Sequence, residues 1–230
     1  MGNYKDNRMQ TLAEKGNGNH AYIDNLQEAN KVLVSEFGGT MYTVAKDAKI
    51  QVEFNPANVK AFRLVGYESR LLAHEDFNDD TKDAGEIGAG HTVTAIYEIV
   101  PAGAQNPTGS IDPLKYQSND NEIIRNMYYS PNNFSGELMT VKLRYNAPDS
   151  DTSSKIEVPV TSRTSANPSG DFYFAAAAAM FAQLLRDSDF KGTATYDDVI
   201  KTAKKGLDND EHGYRREFIR LAETVKGMGN

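Results

Sequence analysis

The chain contains no cysteine. This absence excludes disulfides, thiol nucleophiles, zinc ribbons and iron–sulfur clusters together. The few histidines are scattered, and no two of them stand at helical i, i+4 spacing, which excludes the H-E-x-x-H type of zinc site. The G-x-S-x-G elbow of serine hydrolases is also missing. A Ser-His-Asp triad or a pair of hydrolytic carboxylates leaves no such local trace, so both remain open.

Long hydrophobic runs are scarce as well. The longest covers residues 172–185, where only Gln183 is polar. Because a helix across a bilayer needs about 20 apolar residues, we expect no transmembrane segment in this chain. We predict a buried core helix here; a helix that docks on a partner is the alternative. The first ten residues, MGNYKDNRMQ, carry no apolar stretch, so we also expect no signal peptide in this chain.

Positive charge is in the minority. With 25 Lys and Arg against 32 Asp and Glu, the formal net charge is −7. An acidic surface repels phosphate backbones, and no cluster of Lys and Arg is interleaved with aromatic residues, so we expect no nucleic-acid partner. The length of 230 residues suffices for one large domain or two small ones with a real core.

Hydrophobic periodicity divides the chain into three parts. Apolar residues at helical spacing predict a first helix over residues 26–37, capped by Asp24 or Asn25, ended by Gly38-Gly39 and followed by a short helix at 40–46. Alternating patterns then predict strands, of which the first two form a hairpin through Asn55-Pro56. Helical patterns return near residue 171, where Asp171 is predicted to cap the first of the later helices. The predicted strands cover residues 50–54, 59–67, 91–100, 138–146 and 155–162, and the later helices cover 171–187, 195–207 and 214–226.

The predicted fold class is α+β. Strands in a block favour an antiparallel β-sandwich-like domain, flanked by an N-terminal helix and a C-terminal helical segment. Pro159 cannot donate a ladder hydrogen bond, so the strand at 155–162 is predicted to lie at a sheet edge. Thr195 and Asp198 form a capping-box pattern at the start of one C-terminal helix. The stretch between residues 101 and 136 is read as a long excursion with a short helix at 121–127.

The acidic loop at residues 74–83 is the first candidate site. Its aspartates offer hard oxygen ligands at short spacing, which suit Ca²⁺, although the EF-hand pattern is absent. The alternative is a solvated acidic loop without metal. The candidate calcium ligands are Asp76, Asp79, Asp80 and Asp83.

Two glycine-containing stretches resemble known phosphate-binding and calcium-binding loops. The sequence GEIGAG at 85–90 resembles a phosphate-binding loop, but it precedes a predicted strand instead of opening a helix, so we predict a tight turn with positive φ angles. The sequence DNDEHG at 208–213 matches the first half of an EF-hand loop. A bidentate Glu is required at its twelfth position, where Ile219 stands, so we predict a turn between helices.

Several stretches resemble bacterial proteins that contain a von Willebrand factor type A domain. The run NRMQTLAEKGNGNHAYIDNLQEANKVL is similar to the end of the A domain. The short apolar piece at residues 21–23 would be its last strand, and the helix that follows would be its last helix. The runs EDFNDDTKDAGEIGAGHTVTAIYEI and GLDNDEHGYRREFIRLAETVK resemble the region that follows it in the same proteins. The resemblance implies three parts: 1–47 as the remnant of the A domain, 48–165 as a β-sandwich domain, and 166–230 as a helical segment packed on the sandwich.

The resemblance also carries functional expectations. The D-x-S-x-S loop of the A-domain metal site is absent, so the chain is expected to start after that site and to hold no cofactor. A divalent metal is expected only in the missing part. Many such proteins are envelope lipoproteins, which implies the cell envelope or periplasm, with the outer surface as a further option. We expect a non-enzymatic interaction or scaffold module that binds a protein or cell-surface partner. The alternatives are a carboxylate-dependent hydrolase acting on cell-wall sugar and a calcium-stabilised adhesin segment.

Overall fold

The computed structural model describes residues 5–16, 18–67, 71–104, 134, 136–150, 152–161, 167–208 and 210–228. These residues form a mixed α+β structure, which confirms the predicted class. The helices are α1 (Asp6–Lys15), α2 (Leu26–Asn30), α3 (Phe37–Met41), α4 (Gly170–Leu185), α5 (Tyr196–Lys204) and α6 (Tyr214–Met228). The strands are β1 (Thr43–Phe54), β2 (Val59–Val65), β3 (Gly85–Gly88), β4 (Ile96–Pro101), β5 (Glu137–Asn146) and β6 (Ser153–Thr161).

The strands form one four-stranded sheet in the order β3-β1-β5-β6 and one two-stranded sheet of β2 and β4. The predicted pairing of the first two strands is wrong, because β2 pairs antiparallel with β4, from Val65 opposite Ile96 to Val59 opposite Pro101. The turn after β1 is held elsewhere: Asn55 donates its backbone N–H to the carbonyl of Leu138 at 2.9 Å. This bond directs the chain after β1 away from a hairpin.

Two compact units can be distinguished by the contacts within them. The first unit contains Met1–Glu53, Leu71–Val93 and Met139–Val160, and the second contains Phe54–Arg70, Thr94–Leu138 and Thr161–Asn230. The first unit therefore holds the four-stranded sheet, the N-terminal helices and the acidic loop. The second holds the two-stranded sheet and the C-terminal helices.

The N-terminal part of the first unit differs from the predicted elements. Helical structure runs over α2 and continues as a π-helical turn at Lys31–Ser35, with Asn25 as the N-cap that the sequence predicted. The predicted break at Gly38-Gly39 is wrong, because both glycines lie inside α3. The predicted helix at 40–46 is also wrong, since β1 begins at Thr43 and pairs there with Gly88.

Close backbone approach explains why glycine occurs at this junction. The backbone N–H of Ala89 donates to the carbonyl of Tyr42 at 2.7 Å. A Cβ atom on Gly88 would lie 1.6 Å from the carbonyl oxygen of Gly39, a distance that no side chain can occupy. The glycines therefore allow α3 to contact β3 directly.

The second unit is built around a cluster of buried apolar side chains from three helices. Ser169 caps α4 by accepting the backbone N–H of Phe172 at 3.2 Å, whereas the sequence suggested Asp171 for this role. The predicted capping box of Thr195 and Asp198 at α5 is confirmed. The buried cluster consists of Ala177, Phe181, Val199, Ile200, Ala203, Ile219 and Ala222.

Strand boundaries also depend on partners. The predicted strand at 91–100 begins only at Ile96, because its partner β2 ends at Val65 and leaves residues 91–95 without a ladder. Pro101, predicted to stop the strand, is its last residue. Strand β6 lies at the edge of its sheet and contains Pro159, as predicted. The predicted helix at 121–127 lies outside the described residues.

Candidate interaction surface

The acidic loop lies against the polar face of the four-stranded sheet in the first unit. Phe77 anchors it as a buried residue of a 3₁₀ turn. Asp80 accepts two hydrogen bonds from Arg144, with Nε to Oδ1 and Nη2 to Oδ2 both at 3.0 Å, and a third from Ser153 Oγ at 3.1 Å. The hydrogen bonds from Arg144, and then from Ser153, hold the pKa of Asp80 below its ordinary value.

The remaining calcium candidates also have contacts within the loop. Asp79 accepts the hydroxyl and backbone N–H of Thr81 at 2.7 and 2.9 Å, and these two bonds lower its pKa. Asp76 lies 3.5 Å from the amine of Lys82, and Asp83 is exposed. Protein donors and cations therefore occupy oxygens that a metal would need. The calcium assignment stays a prediction.

Convergent metal-ligating groups are absent from the part of the chain that the structure describes, where no three His, Asp or Glu side chains are placed to hold an ion. The histidines are dispersed there: His20 lies 3.5 Å from Asp6 and His74 lies 3.4 Å from Gln51. Sequence reasoning missed Lys49, whose buried amine donates to the carbonyl of Asp79 at 2.5 Å. No sequence signal distinguishes this lysine from the other polar residues that alternate along β1.

The glycine-rich stretch at 85–90 forms a strand and then a turn. Gly85 to Gly88 make up β3, so the prediction of one tight turn is wrong for these residues. Gly90 has the predicted positive φ, at +78°. Strand β4 follows this stretch, with no helix between them in the described residues. The arrangement therefore lacks the helix N-terminus by which such loops bind phosphate.

The described residues of the stretch at 208–213 form the predicted turn between two helices. The side chain of Asp210 is almost fully buried and accepts the backbone N–H groups of Arg215 and Arg216, both at 3.0 Å. Burial opposes ionisation of Asp210, but the two donated N–H groups lower its pKa overall. Arg215 also donates to the carbonyl of Gly206 at 2.5 Å and pairs with Asp171. The turn therefore joins the ends of all three helices.

A shallow cleft of about 430 Å³ lies in the second unit. The residues that line it come from β4, α4, the loop after α4 and α5: Glu98, Met180, Gln183, Phe190, Lys191, Thr193, Ala194 and Asp198. Arg63 donates to Glu98 at 2.6 Å and to Gln183 at 3.0 Å, and its guanidinium lies 4.2 Å from the ring centre of Phe190. The polar groups on this side of the cleft are thus engaged by one arginine.

Asp198 is the second carboxylate of the cleft. It accepts the hydroxyl and backbone N–H of Thr195 at 2.7 and 3.0 Å, and these bonds lower its pKa. Lys191 pairs with Asp187, which raises the pKa of the amine. A carboxyl that acts as a general acid needs a raised pKa, so Asp198 is shifted in the opposite direction.

An exposed apolar surface lies at the N-terminal side of the first unit. We define the N-terminal apolar surface by its exposed residues: Leu26, Leu33, Val34, Phe37, Met41 and Tyr42. Leu26 is 87% exposed and Val34 is 68% exposed. A groove of about 570 Å³ runs along the first part of this surface, lined by Leu26, Gln27, Ala29, Asn30, Leu33 and Val34.

The exposure of this surface departs from what helical periodicity suggests. The sequence placed Leu26, Leu33 and Phe37 on the apolar face of an amphipathic helix, which in a finished domain is buried. In the structure all three are more than half exposed. Contiguous exposed apolar patches of this kind mark interaction sites more often than ordinary surface. The N-terminal apolar surface is therefore a candidate docking surface.

No helix among the described residues combines the length and the apolar character needed to cross a membrane.

Comparison with known proteins places the chain beside one bacterial family. A family model described as "Uncharacterized protein YfbK, C-terminal" matches residues 39–228. The chain is 40% identical over 226 residues to the Escherichia coli (strain K12) protein named "Uncharacterized protein YfbK". The match covers 98% of the chain but only 37% of the length of that relative. No solved structure matches the chain.

Proposed function

The chain belongs to the family of the C-terminal region of YfbK, and from this premise we propose that it is a non-enzymatic interaction and scaffold module. Its task would be to hold the part of a longer protein that precedes the family region, and to bind a protein or cell-surface partner. The observation that carries the proposal is the N-terminal apolar surface. In a complete folded protein, another surface usually covers such a helical apolar stripe.

The position of the family match supports the proposal that a preceding domain of the same polypeptide covers the N-terminal apolar surface. The match begins at residue 39, whereas most of the N-terminal apolar surface lies before it, from Leu26 to Phe37. The E. coli relative extends far beyond the matched region, since the match covers 37% of its length. Because the matched family region is C-terminal, the additional chain of such relatives has room for a preceding domain that packs on this surface.

The finer proposal concerns the nature of that domain. The resemblance of residues 7–33 to the end of a von Willebrand type A domain makes α2 and the following π-helical turn its last helix. The expected last strand, at residues 21–23, is not formed in the structure. A three-residue strand is stable only when it pairs with neighbouring strands, and here these would belong to the preceding part of the A domain. The envelope location and an adhesive role rest on the same resemblance.

Thiol labelling tests the docking proposal. In the E. coli relative, a cysteine at the position aligned with Val34 should react with a maleimide about tenfold more slowly in the full-length protein than in the matched C-terminal region alone. A cysteine aligned with Asp149, in the exposed turn between β5 and β6, is the control and should react equally fast in both. Equal rates at the Val34 position would contradict the proposal.

A carboxylate-dependent hydrolase of cell-wall sugar is the second candidate function. Glu98 and Asp198 line the same cleft, and such chemistry requires a pair of carboxylates in one site. The hydrogen bonds from Arg63 and Thr195 to these carboxylates weigh against it. Release of reducing sugar from cell-wall material that is lost in both E98Q and D198N would favour the hydrolase over the interaction module.

A calcium-stabilised adhesin segment is the third candidate. It rests on Asp76, Asp79, Asp80 and Asp83, of which Asp79 and Asp80 accept hydrogen bonds from protein groups and Asp76 lies near the amine of Lys82. A rise in Tm with millimolar Ca²⁺ that disappears in D76N would support it. An unchanged Tm would leave the acidic loop as a structural element held by Arg144.

A further inference from the structure

The cleft of the second unit is held in shape by one arginine. Arg63, on β2, donates to the Glu98 carboxylate at 2.6 Å and to the side-chain oxygen of Gln183 at 3.0 Å. It also donates to the backbone carbonyl of Phe190 at 3.5 Å, and its guanidinium lies over the ring of that residue. One side chain therefore fixes lining residues from β4, from α4 and from the loop after α4. A site whose groups are fixed before binding loses little conformational freedom when a ligand enters.

The two carboxylates of the cleft each keep one oxygen open. Among the described residues, the donors that reach Glu98 contact Oε2, and those that reach Asp198 contact Oδ2. Oε1 of Glu98 and Oδ1 of Asp198 therefore remain as hydrogen-bond acceptors. The hydrogen bonds from Thr195 also lower the pKa of Asp198, so this carboxylate stays ionised at neutral pH. Hydrogen bonds to an ionised acceptor are shorter and stronger than those between neutral groups.

Hydrogen-bond donors line the same cleft. The oxygen of the Gln183 side chain is engaged by Arg63, whereas its NH₂ group and the hydroxyl of Thr193 have no partner among the described residues. A ligand that satisfies open acceptors and open donors together must itself both donate and accept. A hydroxyl group does both, whereas an ammonium or guanidinium group only donates. The polar lining therefore favours a ligand that carries several hydroxyl groups.

Phe190 gives the cleft an apolar platform. Its ring is 63% exposed although the guanidinium of Arg63 covers one face, so the other face is open to solvent. Met180 and Ala194 extend the apolar part of the lining. The face of an aromatic ring carries negative charge, which attracts C–H groups with a small positive charge. The cleft volume of about 430 Å³ lies within the range of small-molecule sites.

We propose that this cleft binds a neutral sugar of the pyranose type without hydrolysing it. The hydroxyl groups of a pyranose match the open donors and acceptors, and its C–H face matches the open face of Phe190. Asp198 is an ionised acceptor and Glu98 is paired with Arg63, so neither supplies the proton that a glycosidic oxygen needs as it leaves. The site goes beyond the proposed function, because it lies in the second unit and does not involve the N-terminal apolar surface.

Titration of the ¹⁵N-labelled chain, followed by NMR, tests the inference. The probes are methyl glucoside, methyl mannoside, methyl galactoside and N-acetylglucosamine, each up to about 50 mM, since an open cleft predicts a Kd on the order of 1 mM. At least one probe should shift the backbone amides of Thr193 and Ala194 and the side-chain amide of Gln183, with saturation. The absence of saturable shifts at these groups with all four sugars would overturn the inference. Saturation by arginine methyl ester and by none of the sugars would show a site for cations instead, and would also overturn it.

Two phenylalanines provide a matched pair of variants. Phe190 and Phe172 are 63% and 61% exposed, but Phe172 lies at the start of α4 and does not line the cleft. F190A should raise the Kd of the sugar about tenfold, whereas F172A should change it less than about twofold. T193V removes the hydroxyl at nearly constant size and should also weaken binding severalfold.

An unchanged Kd in both F190A and T193V would show that the shifts arise at another site, and would overturn the inference. Release of reducing sugar from the bound methyl glycoside, lost in D198N, would replace it by the hydrolase. The thiol-labelling test at the Val34 position is independent of this cleft. The sugar site and the proposed docking surface can therefore fail separately.

Discussion

The two units bury their apolar side chains to different extents. Of the ten fully buried apolar residues in the described chain, seven belong to the helical cluster of the second unit, whereas the first unit supplies only Ala45 and Phe77. The second unit therefore has a core of its own. The first unit has a sheet and helices of normal geometry, but it leaves the N-terminal apolar surface exposed. The difference supports the proposal that another surface covers this part of the first unit.

The sharpest way to break this comparison is one substitution placed in both units. V199D puts a carboxylate at a fully buried position of the helical cluster, and we expect a loss of about 4 kcal/mol or more in the free energy of unfolding. V158D makes the same chemical change on β6, where Val158 is 51% exposed, and should cost less than about 1 kcal/mol. Urea unfolding followed by circular dichroism measures both. Similar losses would show that Val158 is buried in the folded chain.

Backbone contact, and not a core, is expected to hold the sheet unit together. G88A adds a methyl group where the carbonyl oxygen of Gly39 already lies, so we expect a loss of about 1–3 kcal/mol. G85A is the matched control on the same strand, because nothing lies within 4 Å of its added Cβ. Hydrogen exchange of the Ala89 amide, which bonds to Tyr42, reports the change locally. Equal exchange in both variants would refute the role given to this contact.

The smallest expected effect concerns pH. The pKa of Asp80 is lowered below 3.8 in the folded chain, chiefly by Arg144. A depressed folded pKa means that the stabilisation is fully present above the unfolded value and is lost as pH falls through the folded one. Wild type should therefore exceed D80N slightly in urea midpoint at pH 7, and the gap should close as pH falls through the lowered pKa of Asp80. D149N, in the exposed turn, serves as control. If the difference in urea midpoint between wild type and D80N did not change with pH, the titration of Asp80 would have no part in the loss of stability at low pH.

Local signals predicted the elements whose causes are local. Asn25 caps α2, and the Thr195–Asp198 box starts α5, because each cap needs only a donor and an acceptor three residues apart. The helix predicted over 171–187 follows from the apolar run along it. In the structure it ends two residues earlier, at Leu185. Strand β5 was predicted within one residue, since its side chains alternate over ten positions.

Non-local contacts account for the errors. Residues 40–46 carry apolar side chains that fit a helix, but pairing of Thr43 with Gly88, far along the chain, makes them the start of β1. The hairpin predicted around Asn55 failed because that residue bonds to Leu138. For the candidate site, the four aspartates were identified, but their engagement by Arg144 and Lys82 was not. Arg144 stands far from the ligand pattern, on β5, whereas Lys82 lies inside it, between Asp80 and Asp83.

By itself, the sequence determined the α+β class, the absence of cysteine chemistry, the helix caps and the edge position of β6. These depend on composition, on spacing of a few residues and on what proline cannot donate. Only the tertiary structure decided which strands pair, which carboxylates meet a cation and which apolar residues stay exposed. Hydrophobic periodicity states that a face should be buried, but whether a layer covers it depends on which distant parts of the polypeptide pack there. The N-terminal apolar surface is an outcome of that kind.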